Sequence, residues 1–408
     1  MASSNGNHTG ATTIRIGSRE SEMQYTVIAP TQEQVSSVSP TLSLALKQTH
    51  IVRDALQKAH PHLKFEIITM KTHGDKILNV ALSKIGSKSL FTKELEIALE
   101  EKHVDIVVHS LKDLPTTLPE GRVIGAVCER EDPRDVVIMH PKHLEASLAT
   151  LPKGSVIGTS SVRRAAQLKR KFPDLVFESV RGNLNTRLRK LEEGDTYHAL
   201  ILAAAGVMRM GWEDKISQYL EEDTCMYAVG QGALAVECRE DDSSTVALLS
   251  PLGHLNTTVA VIAERALMCT LEGGCSAPVA VHTKVTEDQL NLQGGVWSLD
   301  GSEELRHTMS TPLAEPDSSS DSLEQPVKMA KVSTTPYTGV VSRQGLDHFM
   351  SQAHNLGVNL AKHLLSAGAD RILQAAKEQN NANLPSNNPN LPPSSSNGQK
   401  KEVEVNDS

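Results

Sequence analysis

Three segments of this 408-residue chain place cations and small polar residues just after short apolar runs, a pattern suited to holding an anionic ligand. The first is His109-Ser110-Leu111-Lys112-Asp113-Leu114-Pro115, which follows Ile106–Val108. If that run is a strand of a parallel sheet, Lys112 and Asp113 lie on the rim where such sheets bind ligands. An Asp in this position can equally be a helix N-cap or a surface ion-pair partner. The second, Gly158-Thr159-Ser160-Ser161-Val162-Arg163-Arg164, reads as strand, small polar turn and helix. Such a turn aims backbone N–H groups at an anion, and two arginines add forked donors for carboxylate or phosphate. It lacks the Gly-Lys-Ser/Thr ending of a nucleotide-binding loop, and no Mg²⁺-binding pattern or other metal site accompanies it. The third, Arg181-Gly182-Asn183-Leu184-Asn185-Thr186-Arg187-Leu188-Arg189, follows Val176–Val180, so its arginines can face the same rim. Arg209 and Gly230-Gln231-Gly232 are candidates to complete the lining. Each well-placed arginine–carboxylate contact contributes about 1.5–3 kcal/mol. This many cations therefore point to a ligand with several carboxylates, whereas a single small acid needs one or two.

A fourth candidate is Cys275, in Glu272-Gly273-Gly274-Cys275-Ser276. A cysteine after a helix is commonly a buried, inert thiol. Two preceding glycines allow close backbone approach and positive φ, which can present the sulfur on an exposed loop. Cys128, Cys225, Cys238 and Cys269 have no such setting and read as structural. Five cysteines without a CxxC pair do not form a disulfide framework, so reduced thiols and a cytosolic address are expected. The N-terminus has no apolar core of a secretory signal, and no apolar run is long enough to span a bilayer.

The elements that must position these residues follow from composition and spacing. Hydrophobic residues make up 39% of the chain but aromatics only 3%, so the cores rest on Leu, Ile, Val and Ala. That favours α/β layers and argues against the stacking platforms of single-stranded nucleic-acid binders. The net charge of −8 gives no general attraction to a polyanion, yet the stretch from Lys153 to Lys190 holds ten Lys or Arg and only Asp174 and Glu178 as acids. Such a run can also be a solvated helix face. Short apolar runs (Ile14–Ile16, Phe65–Met70, Val123–Val127, Val136–Met139, Leu200–Ala204, Ala233–Val236) alternate with helically spaced segments, which indicates two parallel sheets covered on both faces. The fold class is α/β, two doubly wound domains plus a smaller α+β C-terminal domain. Domain 1 is expected over 14–130 with 230–253, domain 2 over 131–229 and domain 3 over 254–378, with a disordered leader 1–13, a long loop 302–340 and a disordered tail 379–408. No feature asks for more than a monomer.

VVHSLKDLP, GTSSVRRAAQ, RGNLNTRLRKL, MYAVGQGAL and LEGGCSAPVAVH, in this order and spacing, resemble the motifs of the porphobilinogen deaminase (hydroxymethylbilane synthase) family from about Ile14 to Lys377. The resemblance implies that the first two domains are similar to two-lobed periplasmic binding proteins. It implies a covalent dipyrromethane cofactor on Cys275, porphobilinogen as the small-molecule substrate, and no nucleic-acid or membrane partner. In that family porphobilinogen loses ammonia to give an electrophilic azafulvene, which the free end of the tethered chain attacks; four rounds precede hydrolytic release of hydroxymethylbilane. Carried over residue by residue, Asp113 is the catalytic acid. Ser110, Lys112, Thr159, Ser160, Arg163, Arg164, Gly182, Arg187 and Gln231 surround the cofactor, with Arg19, Ser21, Gln48, Arg181 and Arg209 for the substrate. The stretch Lys71–Phe91, with Gly74, Asp75, Lys84 and Gly86, resembles the family's mobile lid.

One segment departs from the family pattern. Residues 22–43 separate Ser21 from the helix that begins at Leu44, and they are rich in Ser, Thr, Gln and Pro without helical periodicity. Because the segment abuts Arg19, it suggests a form that binds cofactor but turns over poorly, such as a splice form or paralogue. A non-catalytic two-lobed anion binder is the reading from another class.

Overall fold

A computed structural model describes residues 12–19, 43–70, 92–271, 277–313, 333–342 and 345–382. The candidate residues Ser21, Lys71, Gly74, Asp75, Lys84, Gly86, Phe91 and Cys275 lie outside these, as do the leader before residue 12 and the segment 22–42.

The first sheet holds seven strands: β1 (Thr13–Arg19), β2 (Lys64–Met70), β3 (Ile106–Ser110), β4 (Arg122–Val127), β10 (Leu234–Arg239), β14 (Ser333–Tyr337) and β15 (Val340–Ser342), in the order β14-β15-β4-β10-β3-β1-β2. The second comprises β5 (Asp135–Met139), β6 (Val156–Gly158), β7 (Val176–Glu178), β8 (Ala199–Ala203) and β9 (Gln218–Leu220), in the order β7-β6-β8-β5-β9. The third is an antiparallel sheet of β11 (Val279–Val285), β12 (Gln289–Trp297) and β13 (Glu304–Pro312). The chain is thus α/β, with two sheet-based lobes and a smaller C-terminal α+β unit. Among the described residues, no helix is long and apolar enough to cross a membrane.

The aliphatic runs form the strands because both faces are covered: Ile106 and Val107 are fully buried, as are Val136 and Val137. Helix α1 (Leu44–Ala59) starts at Ser43, whose Oγ accepts from the N–H of Leu46 at 3.3 Å. It turns Val52 and Leu56 onto the first sheet.

Three expectations need correction. The sheets are mixed rather than parallel: β10 runs antiparallel to β3 and β4, and β5 antiparallel to β8 and β9. The chain crosses between lobes after β4 and again after β9, and each strand that enters a lobe from the cleft runs away from it. The expected loop 302–340 contains β13 and the β14–β15 hairpin. In β13, Leu305 and Met309 pack on the core while Thr308 and Ser310 are exposed, so an edge strand reads as loop by composition. Finally, the C-terminal helix Ala369–Ala382 runs past Gln379, where the tail was expected. Buried Ile372, Leu373 and Ala376 anchor it, and helix propagation into polar residues is cheap once a turn is formed.

Candidate functional site in the interlobe cleft

The cleft wall of the first lobe is built at the carboxyl end of β3. The strand passes directly into a 3-10 turn, Leu111–Asp113, with the Leu114 N–H donating to Leu111 O at 3.1 Å. This turn leaves Asp113 exposed, with Lys112 half-buried behind it. Ser110 is held by the buried Gln48 of α1, whose Nε2 donates to Ser110 Oγ at 2.8 Å. Parallel pairing of β1 with β3 brings Arg19, the last residue of β1, to the same rim.

Lys112 Nζ lies 3.4 Å from Gln231 Oε1. Burial pulls its pKa down to about 8, and the cations Arg164 and Arg163 add to that, while Asp113 and Asp135 oppose it. Lys112 therefore sheds its charge as pH rises through about 8. If that charge helps to hold a carboxylate ligand, kcat/KM should fall above pH 8, whereas Lys112→Arg should stay flat to about pH 9 because a guanidinium does not titrate there. Identical profiles for the two proteins would reject the assignment.

The opposite wall comes from the second lobe. After β6, Ser161 caps helix α3 (Val162–Lys171) by accepting from the Arg164 N–H at 3.4 Å, and Thr159 Oγ1 accepts from the Ser161 N–H. Arg163 and Arg164, in the first turn, are both buried and converge on Asp135. Arg163 Nη1 donates to Asp135 Oδ2 at 2.7 Å and to Met226 O, while Arg164 Nη2 donates to Asp135 Oδ1 at 2.6 Å and its Nη1 to Ile201 O. Gln231 Nε2 reaches the same carboxylate at 2.8 Å. Burial by itself would raise the Asp135 pKa, but the two guanidinium groups outweigh it and hold the carboxyl well below the usual range. Arg163 and Arg164 are thus partly engaged within the protein, and among the described residues Arg164 keeps its Nε without a partner. Both lean on an internal acid, as buried charges must.

The third segment lies beside the second. Ser160 Oγ donates to Val180 O at 2.5 Å, tying the two loops together. Asn183 caps helix α4 (Leu184–Glu192), accepting from the Thr186 N–H at 2.9 Å. Gly182 has φ +114°, and a Cβ there would come within 2.6 Å of Thr186 Cγ2. Its carbonyl accepts from Arg187 Nε at 2.8 Å. Burial and the neighbouring Arg164 and Arg181 lower the Arg187 pKa to about 10, against the raising influence of Asp113 across the cleft. Burial also lowers that of Arg181. Among the described residues, the buried Nε atoms of Arg164 and Arg181 have no hydrogen-bond partner. Crowded, desolvated cations with unused donors fit a ligand bearing several carboxylates.

Arg209 stands apart, at the hinge: its Nη2 donates to Gly232 O at 2.6 Å, and burial lowers its pKa with Glu131 opposing. Gly232 has φ +88° and would place a Cβ 2.2 Å from Glu131 O, so no other residue fits. The adjacent Gly230 N–H donates to buried Glu264 Oε2 at 2.8 Å; Glu264 also takes both terminal nitrogens of Arg130, at 2.7 and 2.8 Å. Behind β3, His109 Nε2 pairs with buried Glu237 at 2.9 Å.

Asp135, Glu264 and Arg130 escaped the sequence reading. An acid abutting an apolar run was the available signal for Asp135, but a parallel strand would have put it at the far rim. Antiparallel pairing sets Asp135 opposite Ala203, the last residue of β8, on the cleft side. Of the other cysteines, burial pushes Cys128 up to about 11, and Cys225 and Cys238 to about 12, which keeps these three as thiols, whereas Cys269 is exposed on its helix. Residues 272–276 lie outside the described ones; buried Leu271 ends the segment before them, and β11 follows after them, bridged at Val281 to Tyr227 just ahead of the hinge.

A family model described as porphobilinogen deaminase, dipyromethane cofactor binding domain, matches residues 38–247, and one for the porphobilinogen deaminase C-terminal domain matches residues 258–331. The chain is 53% identical over 289 residues to porphobilinogen deaminase of Gloeobacter violaceus, covering 70% of this chain and 88% of that protein. It is 54% identical over 272 residues to porphobilinogen deaminase of Neurospora crassa, covering 64% and 80%. Among solved structures, the BenM effector binding domain with its effector benzoate aligns at TM-score 0.33 and 16% identity, over 59% of this chain and 90% of that one. With both family models matched and half of the aligned residues shared with a relative covered nearly end to end, the chain belongs to the porphobilinogen deaminase family.

Proposed function

We propose that the protein is a transferase of tetrapyrrole biosynthesis, a hydroxymethylbilane synthase. It deaminates porphobilinogen, condenses four molecules head to tail onto an enzyme-bound dipyrromethane, and releases hydroxymethylbilane by hydrolysis. The observation that carries this reading is the juxtaposition of Arg164, Arg181 and Arg187, two of them with unused buried donors, with the Lys112–Asp113 turn across the cleft. When bound through Cys275, the dipyrromethane supplies a nucleophilic pyrrole terminus and an anchor for the growing chain. Family membership favours this reading over an impaired form or a non-catalytic anion binder.

The chain's own residues divide the work. Asp113 presents an exposed carboxylate to pyrrole N–H groups and to positive charge developing at the reacting carbon. Lys112, Arg164 and Arg187, with Thr159, Ser160 and Gly182 shaping the loops, take the acetate and propionate groups of the cofactor. Arg163 and Gln231 act through Asp135, and Gln48 acts through Ser110. Arg19, Ser21, Arg181 and Arg209 receive the incoming porphobilinogen, and the 71–91 stretch shields the site from water. The enzyme acts as a cytosolic monomer with no nucleic-acid or membrane partner.

Intact mass tests the tether. The purified protein should exceed its polypeptide mass by the dipyrromethane, and Cys275→Ala should return to the bare mass and lose activity. A bare mass in the unaltered protein would overturn the proposal, whereas an anion binder would be indifferent to the substitution.

A further inference from the structure

Arg265 lies in helix α7 (Leu255–Thr270), the element that runs toward Cys275. It is 1% exposed, and among the described residues the only carboxylate acting on it is Glu237, through space and without a hydrogen bond. Its donors go instead to main-chain carbonyls: Nε to Thr338 O at 3.0 Å, and Nη2 to Pro115 O at 2.8 Å and Thr116 O at 3.2 Å. Burial pulls its pKa down to about 10, with Cys269 and Glu237 opposing. A guanidinium so placed is a poor choice for stability, because an apolar side chain of similar volume would avoid the desolvation. What it holds is specific. Pro115 and Thr116 lie two and three residues beyond Asp113, after Leu114, which closes the turn. Thr338 is at the tip of the β14–β15 hairpin, whose Gly339 O accepts from the Ile124 N–H at 2.7 Å on the edge of the first sheet.

We infer that Arg265 is a positioning residue that fixes the Asp113 turn to the helix leading to Cys275, and so sets the carboxylate against the tethered chain end. The inference rests on the proposed function. Its reach is through the backbone of Pro115 and Thr116, so substitution should displace Asp113 without removing a ligand contact. Displacement of about 1 Å in a reacting group can lower the rate on the order of 100-fold.

The test compares the holoenzyme with Arg265→Lys and Arg265→Met. Lysine keeps charge and length but cannot span both sets of carbonyls. For Arg265→Lys, kcat per cofactor-loaded molecule should fall roughly tenfold, with KM and the cofactor mass unchanged. Arg265→Met should fall further where it folds. If it does not fold, Arg265→Lys decides alone. An unaltered kcat per loaded molecule, or a loss confined to loading or KM, would overturn the inference. A failure of the functional reading is distinguishable, since the unaltered protein would then lack the cofactor mass or the activity itself.

Discussion

Asp113→Asn should lower kcat by about 100- to 1,000-fold while leaving KM for porphobilinogen within a few-fold, the scale of losing one preorganised charge at a reacting centre. The substitution preserves shape and removes the only carboxylate presented by the 3-10 turn after β3. Asp113 also raises the pKa of Lys112 and Arg187, so its loss works in one direction on both. Lys112 in particular, already at about 8, should deprotonate at lower pH in the variant. The deficit of Asp113→Asn should therefore widen between pH 7 and pH 8. Steady-state kinetics at several pH values checks both parts. A kcat within tenfold of the unaltered enzyme, or a deficit independent of pH, would remove Asp113 from the catalytic role.

The second large effect concerns stability as well as activity. Asp135 is fully buried and receives Arg163, Arg164 and Gln231. Asp135→Asn leaves two buried guanidinium groups without countercharge, and breaking a buried pair from one side costs about 3–5 kcal/mol. Urea unfolding should show that loss near neutral pH, and intact mass should show a smaller fraction of the protein carrying the cofactor, since both arginines lose their alignment. The sign of the pH dependence follows from the depressed Asp135 pKa. Its stabilisation is fully present above the unfolded carboxylate value of about 4 and is lost as pH falls through the lower folded value. The gap between variant and unaltered protein should thus narrow in acid. An Asp135→Asn protein as stable as the parent at pH 7 would show that the triad contributes nothing net.

The cationic character of the cleft was readable from the chain because strand, polar turn and helix follow one another locally. Ser161 and Asn183 cap their helices within a few residues of Arg164 and Arg187, so the turns form as their sequences dictate. The edge strand β13 was not readable, because its outward residues are Thr and Ser like those of a loop, and only pairing with β12 reveals it. The partner of Arg163 and Arg164 was hidden for a different reason. Asp135 is distant in sequence, and its place on the cleft rim depends on strand direction.

By itself, then, the sequence determined the residue types at the rim: a carboxylate after β3, arginines after β6 and β7, glycines at the hinge, and a family's motifs around Cys275. Those are local properties, set by spacing and turn chemistry. Only the tertiary structure decided which of these groups are free for a ligand. Antiparallel entry of β5 turned Arg163 and Arg164 toward Asp135, and packing of α7 against the first lobe gave Arg265 the carbonyls beside Asp113. Pairing of buried charges and carbonyls is a long-range outcome of strand order and helix packing, and no local pattern encodes it.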